Sequence, residues 1–192
     1  MKNGFNYSRS TVNNIINNID AIITETQADA DLIEKFKGEA YFLRAFYYHQ
    51  LVQRWAKDYE PGSADTDPGV PVVLIFDVTL LPPRASVQEV YDQILSDISQ
   101  AKTNLSSITG LVNSTRITID AVTALEAQVY LCMHRWNDAV TAAINAGTLS
   151  NTIFKLESGF NGYYVLSGTI TVPEGSTLTI VHAIGSPFDG CK

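Results

Sequence analysis

Residues Gly38–Trp55, GEAYFLRAFYYHQLVQRW, combine a helical repeat with six aromatic side chains and two arginines. Apolar residues recur every three or four positions, which predicts one long amphipathic helix. Its apolar side is too wide for a helix that lies alone on a surface, because aromatic side chains occupy most of the circumference. Other helices should therefore pack around it, and we expect most aromatics from Tyr41 to Tyr48 to lie in the core.

Four other segments carry the same period, and local start signals accompany them. Ser86 and Glu89 form a capping box, and Thr118 is a favourable helix cap. Gly147 is the residue type that commonly follows a helix end. The predicted helices are Thr11–Gln27, about Asp29 to Ala56, Val87 to about Leu105, Thr118 to about His134, and Trp136–Ala146.

The last two of these helices resemble one tetratricopeptide unit, AVTALEAQVYLCMHRWNDAVTAAINAG. Alanines stand where two helices must approach closely, and we expect Tyr130 and Trp136 to fill the groove between them. Single units of this kind rarely stand alone, so the earlier helices should supply the neighbouring layers. The predicted fold is mainly α, a tetratricopeptide-like stack of helical hairpins, or α-α superhelix.

The end of the chain has a different character. Residues Tyr163–Val172 and Ser176–Ile184 are rich in Thr, Val and Ile, with a turn signal near Glu174. This pattern predicts a small C-terminal β-hairpin. The expected organisation is a helical domain over residues 1–160 and a hairpin-like tail over residues 161–192.

The composition argues against a nucleic-acid partner. The 192 residues include 13 basic and 20 acidic side chains, a formal charge of −7, and the basic residues do not cluster. A nucleic-acid partner is therefore not expected.

Only two cysteines occur, Cys132 and Cys191. Cys132 is interpreted either as a small buried hydrophobe or as the disulfide partner of Cys191.

No enzyme motif or cofactor site emerges. The three histidines, His49, His134 and His182, fall in different structural contexts and lack metal-ligand spacing. The acidic loop with Asp58, Glu60, Asp65 and Asp67 lacks the calcium-binding register of an EF-hand, so we favour a solvated loop. Arg44 cannot be buried without a partner, and either Glu39 or a carboxylate of a neighbouring helix should pair with it.

Three ordered blocks resemble the SusD/RagB family. Gly38–Trp55 is similar to its AxFLRAxxYxxLVxxxG block, Val70–Val73 to a VPLV-like strand, and Pro83–Ala101 to PRxSVxEVYxxIxxDLxxA. One departure is Ala56, where the family usually has glycine, followed by a longer loop from Lys57 to Gly69. The resemblance spans roughly Asp29 to Phe160, and the tail has no counterpart in it.

The resemblance implies a non-enzymatic lipoprotein at the surface of the outer membrane. Such a protein binds oligosaccharides and passes them to a TonB-dependent transporter of the SusC type. Members of the family are longer and carry a lipidated cysteine after a signal peptide, so we expect the present chain to be a piece of a longer protein. The alternative interpretation is a tetratricopeptide adaptor that binds a protein or peptide in the concave face of its helices.

Two aromatic residues are the candidate ligand-binding side chains. Sugar rings bind against the flat faces of Trp or Tyr, while polar side chains collect the hydroxyl groups. Trp55 and Tyr59 have that character, and they adjoin an irregular polar loop of the kind that carries binding sites. The sequence therefore predicts a glycan site at Trp55 and Tyr59, with no metal and no cofactor.

Overall fold

The computed structural model describes residues 11–75, 82–107 and 116–148. They form helices and connecting turns without a strand in these ranges, so the prediction of a mainly α protein is confirmed. The segment 161–192, with its predicted hairpin and Cys191, lies outside the described residues. The helices are α1 (residues 11–18), α2 (Gln27–Trp55), α3 (Val87–Asn104), α4 (Ile119–Cys132) and α5 (Trp136–Thr148), with a 3-10 turn at Ile19–Ala21.

Consecutive helices pack on one another, α2 on α3, α3 on α4, and α4 on α5. α4 and α5 form the predicted helical hairpin, and α2 also contacts α4. One apolar core runs through these layers and includes Cys132. Its fully buried members include Ala45, Tyr48, Val87, Val90, Ile94, Ile98, Val122 and Val129. Cys132 is disulfide-bonded, so of the two interpretations of this cysteine the disulfide is the one supported.

The first helix is shorter than predicted. α1 ends at residue 18, and the 3-10 turn leads into an extended Ile22. The cause is the start signal of α2, because the Thr26 hydroxyl accepts from the Asp29 N–H while the Asp29 carboxylate accepts from the Thr26 N–H. This capping box satisfies two amides at once and ends the preceding segment. Ile22 and Ile23 are consequently exposed, at 56% and 92%.

Gly38 lies where α2 meets the end of α3. A Cβ atom added here would lie 2.7 Å from Leu105 Cγ and 2.9 Å from Asn104 Cβ. Interiors are packed too densely to accept such contacts without displacement. Glycine weakens an isolated helix by about 1 kcal/mol relative to alanine. At this position the absence of a side chain allows α2 and the end of α3 to approach closely, which offsets that cost.

A buried polar network joins α1, α2, α3 and the extended residues around Val73. Arg44 Nε and Nη2 donate to the two carboxylate oxygens of Asp97 at 2.8 and 2.7 Å, and Nη1 donates to Asn13 Oδ1 at 3.3 Å. Asn13 Nδ2 donates to the Val73 carbonyl at 2.7 Å. The Tyr48 hydroxyl donates to the same carbonyl and accepts from the Val73 N–H. The network fixes the positions of three helices relative to one another.

The network decides between the two partners predicted for Arg44. The carboxylate of a neighbouring helix, Asp97, is the partner, and its bidentate hydrogen bonding raises the pKa of the Arg44 guanidinium despite burial. Glu39 pairs instead with Arg116, whose Nε and Nη2 lie 2.9 and 2.7 Å from its oxygens. Spacing within α2 alone would have favoured neither.

The turn between α4 and α5 follows a Schellman geometry. The Arg135 N–H donates to the Tyr130 carbonyl at 2.9 Å, and the His134 N–H donates to the Leu131 carbonyl at 3.1 Å. His134 takes the left-handed conformation that this motif requires, with φ of 58°. The last carbonyls of α4 are thereby satisfied, so α5 can begin immediately.

The prediction that Trp136 fills the groove between α4 and α5 is wrong. Its side chain is 56% exposed and stacks on His134 with ring centroids 5.1 Å apart. The buried side chains of α5 are the small ones, Ala139, Ala142 and Ala146, which allows the two helices to approach closely. Tyr130, the other residue predicted for the groove, is half-buried.

The aromatic stretch of α2 is also less buried than predicted. Tyr48 is fully buried, but Tyr41, Phe42 and Tyr47 are half-buried and Phe46 is 37% exposed. α3 and α4 cover only part of the circumference of α2, and Phe46 stacks on Phe42 along the outer side at 6.4 Å.

Candidate functional site

The end of α2 has an alanine, Ala56, where the SusD/RagB pattern usually has glycine. Ala56 is extended, with φ of −116° and ψ of 175°, so no left-handed residue is needed. The Trp55 carbonyl belongs to the last turn of the helix, where carbonyls have no partner within the helix. It accepts instead from Arg84 Nη2 at 2.9 Å. A side chain from before α3 therefore completes the end of α2.

The loop that follows is folded on itself. The N–H groups of Ser63 and Ala64 donate to the Glu60 carbonyl at 3.0 and 2.8 Å, and the Asp67 N–H donates to the Ser63 carbonyl at 2.8 Å. Ala64, 2% exposed, joins the apolar core. This segment is thus a compact turn that is anchored by one small apolar side chain.

The same loop caps the start of α3. The N–H groups of Val87 and Gln88 have no partner within the helix, and they donate to the carbonyls of Asp67 and Ala64 at 2.9 and 2.8 Å. Gly69 passes so close to the backbone of the α3 cap that an added Cβ would lie 2.7 Å from the Ser86 carbonyl oxygen. The loop is therefore held against α3 by backbone hydrogen bonds.

An open cleft of about 640 Å³ lies against this loop. Its walls combine carboxylates, one ammonium group, an amide and a hydroxyl, which together can donate to and accept from the hydroxyl groups of a ligand. The lining residues are Gln53, Ala56, Lys57, Asp58, Glu60, Ser63 and Asp67.

The acidic loop differs in part from the predicted solvated loop. Asp58, Glu60 and Asp65 are exposed, but Asp67 is only 9% exposed. Its carboxylate accepts from Lys57 Nζ at 2.5 Å and from the Ser63 hydroxyl at 2.7 Å, and these bonds hold the pKa of Asp67 below its ordinary value. Within the described ranges, no group of three or more His, Cys, Asp or Glu residues is placed to hold a metal ion.

Trp55 and Tyr59 lie beside the cleft in the chain, but they do not line it. Both side chains are half-buried and pack against the apolar core. The Tyr59 hydroxyl donates to Gln88 Oε1 at 2.5 Å, and its ring meets Tyr91 edge to face with centroids 5.2 Å apart. Burial and the charge of Asp92 raise the pKa of Tyr59. Part of each ring is therefore covered by the apolar core.

The two described histidines lie in different environments. His49 is 2% exposed, its Nδ1 has no hydrogen-bond partner, and burial lowers its pKa to about 4. It is therefore a neutral core residue beside Tyr91, whereas His134 belongs to the exposed turn before α5. His182 lies outside the described residues.

A second, largely apolar cleft of about 530 Å³ lies between α1 and α2. Its aliphatic and aromatic walls offer few hydrogen-bonding groups to a sugar. The lining of this cleft includes Val12, Ile15, Ile19, Ile22, Phe36, Ala40 and Leu43.

No helix in the described parts of the chain is both long enough and apolar enough to cross a membrane.

Comparisons with known proteins give a consistent result. A SusD-like family model, described as starch-binding associating with outer membrane, matches residues 10–131. A SusD-like protein of Formosa agariphila is 31% identical over 125 residues, which cover 62% of this chain and 22% of the relative. The chain therefore spans about a fifth of that relative's length.

Solved structures share the fold. A SusD superfamily protein from Bacteroides thetaiotaomicron is 26% identical with a TM-score of 0.70, and the match covers 81% of this chain and 33% of that one. A laminarin-binding SusD-like protein is 20% identical with a TM-score of 0.60, covering 80% of this chain and 30% of that one. The helical stack described above is thus the arrangement found in these proteins.

Proposed function

The chain belongs to the SusD-like family, and from this premise we propose that it is part of a non-enzymatic protein that binds oligosaccharides. The family description, starch-binding associating with outer membrane, supports a role in nutrient uptake at that membrane. The proposed partner is a SusC-like TonB-dependent transporter, and the proposed location of the whole protein is the cell surface, where it is held as a lipoprotein.

The observation that carries the proposal is the polar cleft at the end of α2. An oligosaccharide presents many hydroxyl groups, each of which donates and accepts hydrogen bonds. The carboxylates of Asp58 and Glu60, the amide of Gln53 and the hydroxyl of Ser63 offer matching partners within one cleft. Such a site can bind a sugar through hydrogen bonds to its hydroxyl groups.

Trp55 and Tyr59 are proposed to contact the sugar ring. A pyranose stacks its apolar face on an aromatic ring, and both side chains adjoin residues of the cleft in the chain. Because each ring is half-buried, it has only part of its area left for a ligand. A shallow site of this kind buries little of the ligand, so we expect a dissociation constant on the order of 1 mM.

Isothermal titration calorimetry with a panel of neutral oligosaccharides tests the proposal. Maltohexaose and laminarihexaose are the first probes, since the family description names starch and one structural neighbour binds laminarin. We expect Trp55→Ala or Tyr59→Ala to weaken binding about tenfold, or about 1.4 kcal/mol. Trp136→Ala is the control, because this tryptophan is exposed and does not line the cleft.

The outcomes separate the two functional interpretations. Binding that survives unchanged in both Trp55→Ala and Tyr59→Ala would refute the site. Failure of every glycan to bind, together with saturable binding of an amphipathic peptide, would favour the tetratricopeptide adaptor. The apolar cleft between α1 and α2 is the surface that such a peptide would use.

A further inference from the structure

Arg84 connects three separate points of the backbone around the polar cleft. Its Nε donates to the Gly69 carbonyl at 2.5 Å, and its Nη2 donates to the carbonyls of Pro68 and Trp55, both at 2.9 Å. Trp55 is the last residue of α2, while Pro68 and Gly69 close the loop that borders the cleft. One side chain therefore fastens the beginning of this loop to its end.

The chemistry of these contacts requires an arginine. The planar guanidinium directs several N–H groups in fixed directions, whereas the lysine ammonium is a compact charge on a flexible stem. A cation is also favourable at the negative end of the α2 dipole, where the Trp55 carbonyl lies. The contacts go to backbone carbonyls, so the guanidinium of Arg84 holds segments of the backbone together.

Other hydrogen bonds hold the loop as well. Backbone hydrogen bonds join Ala64 and Asp67 to the first amides of α3, and Lys57 bonds to the Asp67 carboxylate. None of these bonds reaches Trp55. The hydrogen bonds of Arg84 link the last helical residue of α2 to the far end of the loop.

We propose that Arg84 is the positioning residue of this binding site, holding the loop from Lys57 to Asp67 in its binding conformation before a ligand arrives. The inference rests on the proposed function, since it assigns Arg84 a role in glycan binding. A loop that is already ordered loses less conformational entropy when it binds. Loss of Arg84 should therefore weaken binding through the entropy of association, with the ligand contacts left in place.

Limited trypsin proteolysis tests the hold on the loop without any ligand. Lys57 lies within the loop, and cleavage after it requires local opening. We expect Arg84→Lys to raise the rate of cleavage after Lys57 about tenfold, with helical content unchanged. Arg116→Lys is the matched control, because Arg116 makes a bidentate pair with Glu39, about 25 Å along α2 from Ala56.

Calorimetry with laminarihexaose and maltohexaose, well below the melting temperature, tests the consequence for binding. Arg84→Lys should lose about tenfold in affinity, chiefly in the entropy of binding, whereas Arg116→Lys should match the wild type. Equal affinity and equal cleavage rates in the wild type and Arg84→Lys would overturn the inference. If the wild type binds neither sugar, the proposed function fails for these ligands, and an unchanged rate of cleavage after Lys57 would then overturn the role of Arg84 separately.

Discussion

Removing the Asp97 carboxylate should destabilise this protein more than the loss of any exposed carboxylate. Asp97 is 1% exposed and Arg44 is 5% exposed, so neither charge can recover hydration when its partner is removed. Two hydrogen bonds from Arg44 and one from Gln93 at 2.9 Å converge on this carboxylate. Breaking a buried pair by deleting one partner typically costs about 3–5 kcal/mol, because the other charge stays buried and uncompensated.

Urea denaturation of Asp97→Ala, followed by circular dichroism, measures this cost. Small domains are stable by only about 5–15 kcal/mol, so a loss of about 4 kcal/mol should be evident as a large fall in the midpoint. Asp92→Ala is the control on the same helix, where Asp92 is exposed and accepts from Gln88. It should change the free energy of unfolding by less than about 0.5 kcal/mol.

A double variant separates the charge effect from lost packing. Replacing both partners, with Arg44→Met and Asp97→Leu together, removes the buried charges and keeps most of the volume. Substitutions of this kind are often neutral or stabilising. The double variant should therefore be more stable than Asp97→Ala by at least about 2 kcal/mol. If Asp97→Ala unfolds within about 1 kcal/mol of the wild type, the account of a buried and uncompensated guanidinium is wrong.

Three further predictions follow from burial and close contact. Leu125→Asp should unfold or aggregate the protein, since Leu125 is 4% exposed in the core, whereas Asp65→Ala should keep the wild-type melting temperature. Gly38→Ala should destabilise by about 1–3 kcal/mol although alanine favours helices, and Gly62→Ala, with open space at its Cβ position, should not; thermal melts compare them. Burial lowers the pKa of His49 from 6.5 to about 4, so only the unfolded chain gains a proton between these values. Stability should be complete above pH 6.5 and fall by about 3 kcal/mol towards pH 4, and urea melts of His49→Phe should lack this part of the slope.

Helical periods and cap chemistry predicted most of the fold because both are local properties. The Ser86 capping box and the Thr118 cap lie at the predicted helix starts. The prediction erred at the end of α1 because the isoleucine stripe continues through Ile22 and Ile23, whereas the capping signal at Thr26 decides the break. Periodicity shows which residues can be apolar on one side, but a competing helix start can end the helix earlier.

Side-chain partners that are far apart along the chain could not be predicted from the sequence, for a physical reason. Asp97 lies 53 residues from Arg44, and only the packing of α3 on α2 distinguishes it from Glu39. Arg84 belongs to the PRASVQEVY block, yet its partners are backbone carbonyls, which carry no residue signature. Trp136 shows the reverse case, since an aromatic residue in a tetratricopeptide-like pattern predicts packing although the buried side chains of α5 are small alanines.

The proposed glycan site at the end of α2 is tested most directly by tryptophan fluorescence. The chain has only two tryptophans, Trp55 and Trp136, so Trp136→Phe leaves Trp55 as the single reporter. Titration of this variant with laminarihexaose or maltohexaose should give a saturable change in emission, while Trp55→Phe, which retains Trp136, should show none. A saturable change in Trp55→Phe, with no response from the Trp136→Phe protein, would place the ligand away from the loop and contradict the account.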